Sequence, residues 1–159
     1  NGLEVNDYID ERYHIEKATH VACDYLLEAK ERFGSWTLAA ASYNLGMSGL
    51  QRQLDKQLVN SYYDLLLNVE TGRYVFRILA LKEIIENTDE FGFHYRSEDV
   101  YKPYDYKELT VDTTISNIAV FAQQQGVNYK EVKTLNPWIR RNKLPNRSGK
   151  EYTLKMPVD

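Results

Sequence analysis

Between Glu16 and Phe33 the apolar residues Ala18, Val21, Ala22, Tyr25, Leu26, Ala29 and Phe33 recur at steps of three and four, with acids and bases between them. That spacing lays one apolar stripe along an α-helix and cannot serve a strand. Gly34 suits a left-handed cap after this helix, and Ser35 an N-cap for the next, Trp36 to about Asn44, whose Ala- and Leu-rich composition predicts passage through a core. Gly46 and Gly49 break the pattern. Leu50, Leu54 and Leu58 mark a further short helix, and after a Tyr-rich stretch from Asn60 to Asn68 a long helix is expected from Thr71 to Asn87. In it Tyr74, Ile78, Leu81 and Ile85 form one apolar row, and Val75, Leu79 and Lys82 the adjoining one. Cys23, on the Ala-rich face of the first helix, reads as a core residue.

The period then changes. His94 to Tyr106 loses periodicity and is crowded with charge, Tyr and Pro103, the pattern of a boundary or tether. Beyond it come an alternating run (Leu109, Val111), a helix from about Thr114 to Gln125 closed by Gly126, a second short helix from Tyr129 to Leu135, and another alternating run (Tyr152, Leu154, Met156). The order is β-α-α-β. Segments 1–93, 94–106 and 107–159 are therefore expected to be a helical domain, a linker and a small second domain.

Composition limits what such a chain does. With 159 residues, 43% hydrophobic, 27% charged and net charge −3, it is a folded globular chain and not a disordered or low-complexity one. No apolar run approaches the ~20 residues of a membrane span. A single cysteine excludes an internal disulfide and a Cys-based zinc site. His14, His20 and His94 lack metal-ligand spacing and no Gly-rich phosphate loop occurs, so no metal and no cofactor are expected. Residues 129–159 carry 8 Lys and Arg against 3 Asp and Glu, while 1–128 carry 12 against 20. The basic tail around Trp138 could meet phosphates, but the acidic helical part would repel a polyanion and no nucleic-acid motif is present, so nucleic acid is not an expected partner. Thirteen Tyr against five Phe supply rings that stack on sugars and hydrogen-bond through hydroxyls. The start, Asn1-Gly2-Leu3, has neither an initiator Met nor a leader and reads as a cut from a longer protein.

Six short motifs carry a resemblance over about residues 1–93. Asp10-Glu11-Arg12, Glu16-Lys17-Ala18-Thr19, Arg32-Phe33-Gly34-Ser35-Trp36, Leu38-Ala39-Ala40, Ser42-Tyr43-Asn44-Leu45-Gly46 and Glu70-Thr71-Gly72-Arg73-Tyr74-Val75, the last followed by Arg77-Ile78-Leu79, occur in the order seen in the goose-lysozyme-like (SLT) catalytic domain of lytic murein transglycosylases of the membrane-bound D type. Residues 107–157 resemble a LysM module, a peptidoglycan-binding repeat that commonly follows that domain. The resemblance implies an α+β, mainly α chain: a truncated lysozyme-like helical domain followed by a small β-α-α-β LysM-like domain. It also implies peptidoglycan glycan strands as partner and an extracytoplasmic place, periplasmic or associated with an outer membrane.

In the resembling family one glutamate protonates the glycosidic oxygen between N-acetylmuramic acid and N-acetylglucosamine. It then deprotonates the muramyl 6-hydroxyl, which closes a 1,6-anhydro ring. That glutamate lies in a Glu-Ser motif upstream of a Gly-Leu, here Gly2-Leu3, so the chain itself is expected to be inactive. Tyr74 matches the family tyrosine that would orient the acid; on pattern alone it is a core-facing ring. Tyr43 and Asn44 match the Tyr-Asn pair whose Asn binds an N-acetyl or lactyl group; without the resemblance Asn44 would be a helix C-cap. Gly46 would let a glycan approach the backbone. Asp112 and Thr113 stand where a LysM module meets glycan, although Val111-Asp112-Thr113-Thr114-Ile115 lacks the usual Gly-Asp. Trp138 flanks the expected groove or plugs the core. Ser42 replaces the usual Ala, Leu45 to Gly49 replace an Ala-Gly-Pro-Gly loop, and Gly72 replaces a common Arg. Neither remaining acid suits the missing role: Glu70 would meet the dipole of the long helix, and Glu11 would be an ion-paired surface residue. A domain lacking its catalytic helix would expose apolar surface, which predicts a homodimer or altered packing. The rival reading is a non-catalytic wall-binding or scaffolding protein.

Overall fold

The computed structural model describes residues 2–158. Their packing forms two compact units, Ala22–Val100 and a second assembled from residues 2–21 with 101–158. The cut falls inside helix α1 (Ile15–Phe33).

The all-helical unit holds the rest of α1 with α2 (Trp36–Leu45), α3 (Met47–Gln57) and α4 (Val69–Glu86). Ser35 caps α2 by accepting the Leu38 N–H, and Gly34, at φ 78°, makes the turn before it. Helix α2 buries Leu38, Ala39, Ala41 and Ser42 and packs against α3 and α4. The core is Leu38, Ala41, Leu50, Leu54, Tyr62 and Val75. Gly49 lies inside α3, not at a break, and a Cβ there would sit 3.1 Å from Leu45 Cγ. That close approach is what a glycine permits.

Three residue readings are corrected in this unit. Leu58 does not continue the apolar row of α3; it is a left-handed C-cap (φ 54°) and 91% exposed, because the helix ends at Gln57. Cys23 is exposed, since α1 turns Ala29 and not Cys23 inward. On α4, Thr71 and Val75 are buried, while Ile78, Leu81 and Ile85 stand 43%, 59% and 69% exposed. Helical spacing predicts which residues share a face, but not what covers that face.

In the second unit β1 (Tyr106–Val111) pairs antiparallel with β2 (Tyr152–Pro157), Leu109 opposite Leu154. Between them run α5 (Ile118–Gln124) and α6 (Tyr129–Leu135). Helix α5 starts later than its apolar spacing predicts, because Asn117 accepts the Ala119 and Val120 N–H groups as N-cap and Ile115 is drawn into a bridge with Leu144. Buried Asn136 pins α6 to the sheet. Its Nδ2 donates to the carbonyls of Val132 (2.9 Å) and Lys155 (2.7 Å), and its Oδ1 accepts the Lys155 N–H (2.8 Å).

The N-terminal strap completes this unit. Ile9, 2% exposed, enters the same core as Ile118, Trp138, Ile139, Leu144 and Leu154. Its backbone bridges Ile139, the Asp10 N–H donates to the Trp138 carbonyl and the Arg140 N–H to the Tyr8 carbonyl, both at 2.8 Å.

Candidate functional site

Two groups of sequence-predicted residues lie in separate units. In the helical unit, α2 emerges from the core with Tyr43 and Asn44 exposed on its last turn. The Tyr25 hydroxyl donates to the Ser42 carbonyl at 2.8 Å, and its ring meets Tyr43 edge-on, 5.5 Å between centroids. Ser42, in place of an Ala, satisfies its own buried hydroxyl by donating to the Ala39 carbonyl at 2.7 Å. Gly46 ends α2 at φ 80°, and a Cβ built there would meet nothing within 4 Å. The backbone at Gly46 is thus open to a ligand.

Asn44 is not a C-cap. The cap of α2 is Gly46, whose N–H donates to the Ser42 carbonyl, and the Asn44 side chain reaches α4, where its Oδ1 accepts the Thr71 hydroxyl at 2.8 Å. Thr71 is 1% exposed. Asn68 caps α4 by accepting the Thr71 N–H at 2.9 Å, and the Tyr62 hydroxyl donates to the carbonyls of Thr71 and Gly72. Burial is the main cause that raises the Tyr62 pKa, which keeps this hydroxyl a donor. Tyr74 lies three residues after Thr71, a spacing that shares one helix face, and is partly exposed. The motif readings single out Asn44 and Tyr74 but miss Thr71 and Tyr62; the pattern Asn68-x-x-Thr71 is the one local signal for the first.

The acids fall elsewhere. Glu70 is exposed in the first turn of α4 and pairs with Arg77 at 3.1 Å. Glu11 is ion-paired, as expected, but it is buried, not at the surface: 3% exposed, it accepts the Glu4 N–H at 2.7 Å and the Lys17 ammonium at 2.5 Å. Burial pushes its pKa up, yet the Glu4 N–H and the Lys17 and Lys150 charges outweigh it and hold the carboxyl below its ordinary value. Asp10, bound by the Arg12 guanidinium at 2.8 and 2.7 Å, is likewise held down. A carboxylate so held is a poor proton donor.

In the second unit Asp112 and Thr113 line an open depression of about 440 Å³ between β1 and α5, with Thr114, Asn117 and Gln124. Trp138 is not on its wall. The indole is 3% exposed and stacks with Tyr152 (5.7 Å) and His14 (6.0 Å), and it borders a different, aromatic cleft with Tyr104, Tyr106 and Lys155. Among the described residues no cluster of His, Cys, Asp and Glu could hold a metal ion, and no helix is long and apolar enough to cross a membrane.

Two family models match parts of the chain. Residues 1–66 match the transglycosylase SLT domain, and residues 107–159 the soluble lytic transglycosylase C-terminal LysM-like domain. Two curated relatives, each described as membrane-bound lytic murein transglycosylase D, come from Escherichia coli strain K12 and strain O6:H1 (CFT073). Each is 25% identical over 158 residues, an alignment covering 96% of this chain and 34% of the relative. The chain spans about a third of the length of these relatives.

Proposed function

We propose that this chain, whose residues 1–66 match the transglycosylase SLT domain and whose residues 107–159 match the soluble lytic transglycosylase C-terminal LysM-like domain, is the glycan-holding part of a peptidoglycan lytic transglycosylase. The observation that carries this reading is the pairing of Asn44 with Thr71. It joins the Tyr-Asn and Glu-Thr-x-x-Tyr motifs, exposed Asn44 to buried Thr71, with Asn44 two residues before the open backbone of Gly46.

In the parent enzyme a glutamate from another segment protonates the β-1,4 oxygen between N-acetylmuramic acid and N-acetylglucosamine. Acting next as a base, it takes the muramyl 6-hydroxyl proton, and the freed oxygen closes on the anomeric carbon as a 1,6-anhydro ring. Tyr74 orients that acid, while Tyr43, Asn44 and Gly46 seat the sugar. The present chain binds without cutting, because its buried carboxylates are held ionised and Glu70 stands exposed against Arg77. Its place is extracytoplasmic, in a periplasm or at an outer membrane, with the helical unit, Ala22–Val100, acting on glycan and the second unit, residues 2–21 with 101–158, as wall-binding module through Asp112 and Thr113.

A co-sedimentation assay on insoluble peptidoglycan tests the reading. The chain is expected to pellet with the wall, less so as Asn44→Ala, and to release no soluble muropeptides. A chain that stays in the supernatant at low ionic strength refutes it.

A further inference from the structure

Thr71 is a buried threonine whose hydroxyl proton goes to an exposed side chain. Helical Thr hydroxyls commonly turn back to a carbonyl of the preceding turn. Here the hydroxyl reaches 27 positions back, to Asn44 Oδ1 at 2.8 Å. We propose that Thr71 is the positioning residue for Asn44, holding its carboxamide so that Nδ2 faces outward as the donor to an acceptor oxygen of an N-acetylated sugar. The ligand class in this inference rests on the glycan-binding reading above.

The support of Thr71 fixes where its hydroxyl points. Its N–H is held by Asn68 Oδ1 at 2.9 Å and its carbonyl by the Tyr62 hydroxyl at 3.2 Å. Tyr62 is itself buried, at 4% exposure. Asn44, exposed at the end of α2, otherwise keeps the rotamer freedom of a surface side chain and loses it on binding. A carboxamide has one acceptor oxygen and one donor nitrogen, so committing Oδ1 to Thr71 leaves the NH₂ for the ligand. A fixed NH₂ donor favours a carbonyl oxygen such as that of a 2-acetamido group. It offers nothing to the ammonium of a de-N-acetylated sugar, which is itself only a donor.

Isotope-labelled full chain tests this by NMR, with Thr71→Val, which keeps the branched shape without the donor, and Thr71→Ser, which keeps the donor. Couplings that report the Asn44 χ1 angle should show one rotamer in the parent chain and in Thr71→Ser, and averaging in Thr71→Val. Titration with N-acetylchitotriose should weaken about five- to tenfold in Thr71→Val, the factor of one hydrogen bond, and recover in Thr71→Ser. Asn44→Ala should erase any further effect of Thr71→Val, and chitotriose lacking the acetyl groups should bind all forms alike and weakly. Unchanged Asn44 couplings in Thr71→Val overturn the positioning role, as does a Thr71→Ser form as weak as Thr71→Val. If the acetylated trimer binds no form, the glycan reading falls, and the couplings still decide what Thr71 does.

Discussion

Lys150 donates to the Glu4 carboxylate at 2.6 Å across 146 residues of sequence. The Tyr152 hydroxyl donates to the same carboxylate, and together they fasten the N-terminal strap to β2. Because Ile9 lies in the core that this strap completes, Ile9→Ala should destabilise the second unit by about 2–4 kcal/mol, the cost of emptying a buried aliphatic site. Fluorescence of buried Trp138 during urea unfolding, in a Trp36→Phe background, reads this directly. An unchanged midpoint would show that the strap is ornamental.

Acid should loosen the same region. The folded-state pKa of Glu11 is lowered, chiefly by the Glu4 N–H and Lys17 acting against burial. Its contribution is therefore present above the ordinary carboxylate value and lost as pH falls through the lower folded value. Melting temperature should decline below about pH 4.5, and Glu11→Gln should flatten part of that decline while lowering stability at neutral pH. A variant whose pH profile parallels the parent chain would show that Glu11 does not set the acid sensitivity.

The exposed row Ile78, Leu81 and Ile85 on α4 should drive self-association of the chain at high concentration. Sedimentation velocity is expected to show a concentration-dependent dimer that Leu81→Lys with Ile85→Lys dissolves, with melting temperature little changed. Strictly monomeric profiles for both forms would contradict this.

How much of this could be read in advance follows from the range of each interaction. The four long helices and the β-α-α-β order are written in local period and caps, such as Ser35 and Gly126. The strap was not legible, because Glu4 to His14 has no period and gains its structure only from Trp138, Ile139 and Lys150 far along the chain. The Asn44–Thr71 bond joins two motifs that the sequence offers separately. Exposure of Cys23 shows the limit of a helical stripe, which predicts neighbours and not depth. That exposure predicts rapid stoichiometric reaction with a thiol reagent in native buffer, whereas a thiol reactive only in denaturant would restore the core reading.

The catalytic assignment of Tyr74 is tested in a longer protein that contains this chain. Tyr74→Phe removes a hydroxyl and keeps the ring, so turnover should fall about 10²-fold if the hydroxyl orients the acid. Full turnover with an unchanged melting temperature would reduce Tyr74 to packing.

The most direct measurement is mass analysis of muropeptides released from the same peptidoglycan by this chain and by that longer protein. The longer protein is expected to release 1,6-anhydro-muramyl ends, one water lighter than hydrolysis products, and the chain alone none. Anhydro products from the chain by itself, or only hydrated reducing ends from the longer protein, would contradict it.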